Sequence, residues 1–262
     1  MNKREGPEGA REEKKGRGPR TTTQVALDWA RSIGAAVVLF LVLRTFLVQT
    51  FVITSSSMED TLLVGDFLIL SKLAYGPTVP FTELRIPGYT DPERGDVAVF
   101  RPPHDPDLDV VKRVVGAPGD TLEMRDKQLF LNGAEFPEPY AQYTDGDGDV
   151  AHPWMRWQCG ESVALSPDIS GAYRVPEDAR PRDDECRPTR DDWGPVVVPP
   201  GHYFMMGDNR DDSVDSRYWG FLDGDRIRGE ALIIHYSYNP ELLRPLAFLR
   251  NMRPERISDV IR

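Results

Sequence analysis

Histidine and cysteine are scarce in this chain, long apolar runs number one, and positive charge exceeds negative only at its start. Four histidines, His104, His152, His202 and His235, stand in no recognisable triad context, so a histidine that activates a serine finds no support. Two cysteines, Cys159 and Cys186, leave room for one bridge at most. Their placement outside the apolar run favours a disulfide over two buried thiols, although sequence does not say whether their Cα atoms approach within bonding reach. The C-terminal PELLRPLAFLRNMRPERISDVIR is broken by Arg244, Pro245 and Arg250, which excludes a second span. Residues 1–24 carry seven Lys/Arg against four Glu, so the remainder of a chain of net charge -10 stands at -13. An acidic body excludes nucleic acid as its partner, because a surface that neutralises phosphates is basic.

The 262 residues, 40 % of them hydrophobic, suffice for a real core. Residues 1–24 are rich in Gly, Arg, Lys and Glu without hydrophobic period, and are expected to form a disordered basic tail. The run IGAAVVLFLVL follows, and with Arg44 snorkelling outward it extends from Ser32 to Val48, at the short limit for a bilayer span. The reading is an anchor over 25–50 with the tail cytoplasmic and the rest on the outer face of the plasma membrane. A removable secretory signal shares this start, but Arg44, Thr45 and Phe46 stand where a small-residue cleavage site would follow.

Beyond the anchor, Gly-Asp pairs at Gly65-Asp66, Gly95-Asp96, Gly119-Asp120 and Gly224-Asp225 each open an apolar or β-rich run. They read as turns that launch strands, since Gly tolerates positive φ and Asp bonds nearby backbone. LEMRDKQLFLNG reads as a hairpin and DVVKRVVG as a strand. The fold class is therefore mostly β: an antiparallel, barrel-like β-sheet domain behind one transmembrane helix. The core is placed in 51–133 and 196–240, with 241–262 a C-terminal tail. Residues 134–195 look like an acidic insertion, since 134–200 hold fourteen Asp/Glu against six Arg. Within it TDGDGDV resembles half a calcium loop, but Val150 and Arg156 occupy the positions that need Gly and a bidentate Glu. No metal and no cofactor is expected.

Chemistry concentrates in three segments. ITSSSMEDTLL (Ile53 to Leu63) sets three serines at the membrane exit. With histidine set aside, lysine is the alternative base, yet at an unperturbed pKa near 10.4 only roughly one in 2,500 is neutral at pH 7. The base must therefore be buried among apolar side chains. Lys112, flanked by Val110, Val111, Val114 and Val115, fits better than any other lysine, although the segment alone also fits a strand lysine with its head in water. Arg113 is expected on the opposite face. The third segment, MGDNRDDSVDSRYWG (Met206 to Gly220), reads as a solvated loop, a metal site, or a support. As a support, Ser213 or Ser216 with Asp208 and Asp215 would position the lysine, braced by Arg217.

Anchor and segments, in this order, strongly resemble the bacterial type I signal peptidases, or leader peptidases. In that family the serine box reads approximately S-x-S-M-x-P-T-L, and Ser55-Ser56-Ser57-Met58-Glu59-Asp60-Thr61-Leu62 matches it except that Asp60 stands in place of proline. The resemblance implies a Ser-Lys dyad with Ser57 as nucleophile, Lys112 as general base, and Ser55 with the Ser57 N–H as oxyanion hole. It further implies that Ser213 orients the lysine, with Asp208, Asp215 and Arg217 in support. Signal peptides of exported preproteins, cleaved after small residues, and the lipid bilayer are the implied partners. Phe51, Val52, Ile53, Met58 and Leu62 are expected to line the substrate groove or rest on lipid. Losing the proline at Asp60 frees φ beside the catalytic turn. Rival readings are a self-cleaving Ser-Lys protease, a signal peptidase with a histidine base, and an inactive membrane-tethered binding protein of the same fold.

Overall fold

The computed structural model describes residues 21–77, 82, 84–144, 148–159, 186–240 and 247–261. Most of the basic tail, the centre of the calcium-like loop at 145–147, residues 160–185 of the acidic stretch and the start of the C-terminal tail at 241–246 lie outside the described residues. The chain divides into two compact units, Met1–Val42 and Leu43–Arg262.

Helix α1 (Thr22–Phe46) holds, over Thr22–Arg44, the one stretch among the described residues that is long and apolar enough to cross a membrane. Its valines and leucines are exposed, which in water would cost on the order of 1.5–3 kcal/mol for each large side chain. The helix stops short of the expected anchor's end, and strand β1 (Val48–Val52) takes residues 48–50.

Ten further strands follow: β2 (Asp66–Ser71), β3 (Val97–Phe100), β4 (Val110–Gly116), β5 (Thr121–Arg125), β6 (Gln128–Leu131), β7 (Ala134–Glu135), β8 (Trp193–Val197), β9 (His202–Met206), β10 (Leu222–Asp223) and β11 (Ile227–Ser237). They form a seven-stranded sheet in the order β1-β2-β11-β3-β4-β9-β10 and a four-stranded sheet β7-β6-β5-β8, with every pairing antiparallel. The Gly-Asp pairs act as launch points. Gly65, Gly95 and Gly119 have positive φ, and Asp66, Asp96 and Asp120 each accept from the amide three residues earlier, at 2.8 Å. At Gly65 a side chain is impossible, since a Cβ would lie 2.1 Å from the Tyr238 carbonyl oxygen.

Strand patterns follow burial. In β2, Leu68 and Leu70 face the core between half-exposed neighbours, the period-two signature of a half-buried strand. Strand β3, VAVF, is buried throughout because it has core on both faces: Val97 and Val99 join one cluster with Ile53, Leu68 and Ile234, and Ala98 and Phe100 another with Met205 and Trp219. A third cluster joins the two sheets through Val115, Leu122, Phe204 and Phe221. It recruits Trp157, from a 3₁₀ segment at Pro153–Cys159, and Trp193, so the described parts of the acidic stretch contribute to the core. Cys159 and Cys186 are joined by a disulfide, with Cα atoms 5.8 Å apart.

Candidate active site

The serine segment is a loop between β1 and β2, clamped at its base by Ile53 N–H to Asp66 O (2.8 Å) and Gly65 N–H to Ile53 O (2.9 Å). Met58 and Leu62 are buried in the core and pull the loop inward, while Met58 O accepts from Leu62 N–H at 2.7 Å. Ser57 is thereby turned toward β4, where its Oγ accepts a short hydrogen bond from Lys112 Nζ. Ser55 Oγ stands 3.3 Å from Ser57 Oγ.

Lys112 is 4 % exposed. It is central in β4, opposite Ala98 of β3, in a strand that leaves its residues little contact with water. Burial brings its ammonium from 10.5 down to about 8, with the Asp215 carboxylate opposing that fall and the Arg217 guanidinium adding to it. A shift of this kind takes the neutral fraction at pH 7 from roughly one in 2,500 to about one in ten. Of the four histidines, His104, His152 and His235 pack against other aromatic rings, and His202 Nδ1 lies 3.0 Å from Pro200 O.

Arg113 goes to a different partner. Its Nε and Nη2 grip both oxygens of Asp208, at 2.8 and 2.6 Å, its Nη1 donates to Gly95 O at 2.7 Å, and its guanidinium lies 3.9 Å above the Tyr140 ring. Thr61 Oγ1 donates to the same Asp208 at 2.6 Å. One fully buried carboxylate therefore ties the serine loop, β4 and the 206–220 segment together.

A second buried carboxylate organises the 206–220 segment itself. Asp215 accepts from Gly207 N–H (3.1 Å), Ser213 Oγ (2.7 Å) and Arg217 Nε and Nη2 (both 2.9 Å). It caps the short helix α2 (Ser216–Trp219), where it also accepts from the Arg217 amide. Burial acts to raise the Asp215 carboxyl, but Arg217 and Ser213 overcome it and hold the group below the usual range. Ser213, expected to orient the lysine, directs its hydroxyl to Asp215. Ser213 and the serine loop both close on Gly207, where a Cβ would lie 2.3 Å from Ser213 Oγ and 2.4 Å from Ser57 O. Asn209 completes the seam: its N–H donates to Ser57 O (3.2 Å) and its Nδ2 to Ser56 O (3.3 Å), and Ser56 Oγ makes a short hydrogen bond to Asp212.

A cavity of about 140 Å³ opens beside the Ser57–Lys112 pair. Phe51, Val52, Ile53 and Met58 line it, whereas Leu62 is wholly buried and does not. Leu108, Val110 and Val111 line it as well; the sequence marks the two valines only as neighbours of Lys112 and does not single out Leu108. Their apolar run beside the lysine was the available signal. Among the described residues no group of three or more His, Cys, Asp or Glu could hold a metal ion.

The family model described as Signal peptidase, peptidase S26 matches residues 26–236. Signal peptidase I of Pseudomonas aeruginosa is 38 % identical over 224 residues, which cover 81 % of this chain and 73 % of its own length. That of Aquifex aeolicus is 33 % identical over 247 residues, covering 83 % of this chain and 92 % of its own. A solved signal peptidase I from Enterococcus faecalis is 27 % identical, spans 54 % of this chain and 97 % of its own, and superposes with a TM-score of 0.33. A family model that spans most of the sequence, and relatives more than a third identical or nearly so across most of it, make the chain a member of the signal peptidase family, peptidase S26, serine endopeptidases that remove signal peptides.

Proposed function

We propose that this protein is a membrane-anchored signal peptidase that cuts exported preproteins after small residues, with Ser57 as nucleophile and Lys112 as general base. The observation that carries the reading is the hydrogen bond from a buried lysine to a serine hydroxyl at the floor of an apolar groove. The signal helix of the substrate lies in the bilayer beside α1, whose N-terminal side is cytoplasmic, and its extended end enters the groove as an added strand. The small residues at -1 and -3 share the space of about 140 Å³ beside the pair.

Neutral Lys112 takes the Ser57 proton as Oγ attacks the carbonyl carbon. The oxyanion that forms is held by the Ser55 hydroxyl and the Ser57 N–H. The Lys112 ammonium then protonates the departing amine of the mature protein, leaving an ester on Ser57. Water attacks that ester, passes a proton to Lys112, and Lys112 returns it to Ser57 as the signal peptide's carboxylate leaves. Asp208, Ser213, Asp215 and Arg217 are positioning residues that fix the serine loop against β4.

Cleavage of a preprotein in detergent by Lys112→Ala and Lys112→His variants tests the assignment, with Ser57→Ala as the inactive reference. Both lysine variants should lose cleavage, and wild-type activity in either one refutes the dyad. With the wild type, the rate should climb with pH to a plateau above about 8, as Lys112 sheds its proton.

A further inference from the structure

Four basic side chains collect at one end of the seven-stranded sheet of an otherwise acidic body. Arg44 belongs to the last turn of α1, and Lys72 Nζ lies 3.5 Å from its carbonyl oxygen. The Lys72 amide donates to Leu47 O, so Lys72 sits where the chain leaves the helix. Ser71 pairs with Glu230, which brings Gly229 and Arg228 of β11 alongside Lys72. Ile227 pairs with Phe100 and the Arg101 amide donates to Arg226 O at 3.2 Å, so Arg101, just past the end of β3, lies two residues from Arg228 along β11. Asp109 joins the two arginines, its Oδ1 3.4 Å from Arg101 Nε and 3.6 Å from Arg228 Nε. Burial, and then Arg228 and Arg44, hold the Lys72 ammonium below its usual value; burial and then Arg101 do the same to Arg228, with Asp109 opposing. Like charges are thus held together, Lys72, Arg101 and Arg228 half buried and Arg44 exposed, with exposed Leu73 next to Lys72 and exposed Leu108 next to Asp109 in the chain.

We propose that this end of the sheet binds the headgroup of an anionic phospholipid in the leaflet where α1 ends. The inference rests on reading α1 as a membrane span. The apolar stretch ends at Arg44, so the cluster begins at headgroup depth. A phosphodiester there accepts hydrogen bonds from the guanidinium and ammonium groups and relieves their repulsion, while the two leucines rest at the interface. Acidic side chains of a preprotein are the rival occupant, since Leu108 and Asp109 also line the groove. Lipid is favoured because Arg44 and Lys72, on the helix side, stand apart from that lining.

Full-length protein in nanodiscs of equimolar phosphatidylcholine and phosphatidylglycerol, stripped stepwise in a native mass spectrometer, should retain phosphatidylglycerol in preference. Lys72→Gln combined with Arg228→Gln should weaken that preference about fivefold for each charge removed. Arg125→Gln, on an exposed side chain of the second sheet, should leave it unchanged. No preference in the wild type, or an undiminished one in the double variant, overturns the proposal. So does tight binding of inorganic phosphate in detergent without lipid preference, or a loss in the double variant confined to cleavage of acidic peptides. Extraction by alkaline carbonate reports separately on whether α1 anchors the chain.

Discussion

Replacing Lys112 by methionine should abolish cleavage and, at neutral pH, make the protein more stable. The cause is the ammonium that the fold buries. Its pKa falls from 10.5 unfolded to about 8 folded, so below pH 8 the native state bears the whole cost of a confined charge, about 3 kcal/mol. Methionine fills nearly the same volume without charge, and gives up the hydrogen bond to Ser57 at a cost of about 1 kcal/mol. The net gain at pH 7 is about 2 kcal/mol. Between about pH 8 and 10.5 the unfolded wild type binds more protons than the folded one, so wild-type stability rises through that window while the variant's does not. Above 10.5 both forms of the wild type are neutral, the advantage is gone, and the lost hydrogen bond leaves the variant slightly weaker. Urea unfolding of the detergent-solubilised protein, followed by the fluorescence of buried Trp157, Trp193 and Trp219, reads this directly. A variant less stable than wild type at pH 7, or a difference that ignores pH, would refute the account of how the lysine is kept neutral.

Three further substitutions probe the surroundings of the pair. Ser55→Ala should lower kcat by the equivalent of about 2.7–4 kcal/mol and leave KM nearly unchanged, as measured by single-turnover cleavage. Gly207→Ala should inactivate the enzyme, because its new methyl meets Ser213 Oγ and Ser57 O; crystallography or Ser57-directed acylation would show the serine loop displaced. At Asp60, φ is +79°, a value closed to proline. Asp60→Pro, which restores the residue usual in the family's box, should therefore destabilise by more than about 1 kcal/mol, whereas Asp60→Gly should be tolerated in thermal unfolding.

That last case separates what is legible in the sequence from what is not. The Gly-Asp turns were legible because each is a local device, closed within three residues at Asp66, Asp96 and Asp120. Lys112 was legible because its apolar neighbours in the chain are also its neighbours in space. Asp60 was read as a freed φ, but which φ the loop selects depends on Met58 and Leu62 finding the core, a tertiary matter. The same burial removed Leu62 from the groove. The bond of Thr61 to Asp208, across 147 residues, and those of Trp157 and Gln158 to the Arg217 carbonyl have no sequence signature at all. Composition marks residues 134–195 as an acidic insertion and carries no sign that two tryptophans within them fill the core.

Lysine and arginine stand side by side in β4, and only one of them can lose its proton near neutrality. Were that strand to slide by a single residue so that Arg113 took the place of Lys112, a permanently cationic guanidinium would face Ser57, the amine would move away from it, and Asp208 would lose its partner. The two-pronged grip of Asp208 on Arg113 is thus a proofreading contact: it fits one alignment of the strand, and misfolded copies that adopt the other would be both unstable and inert.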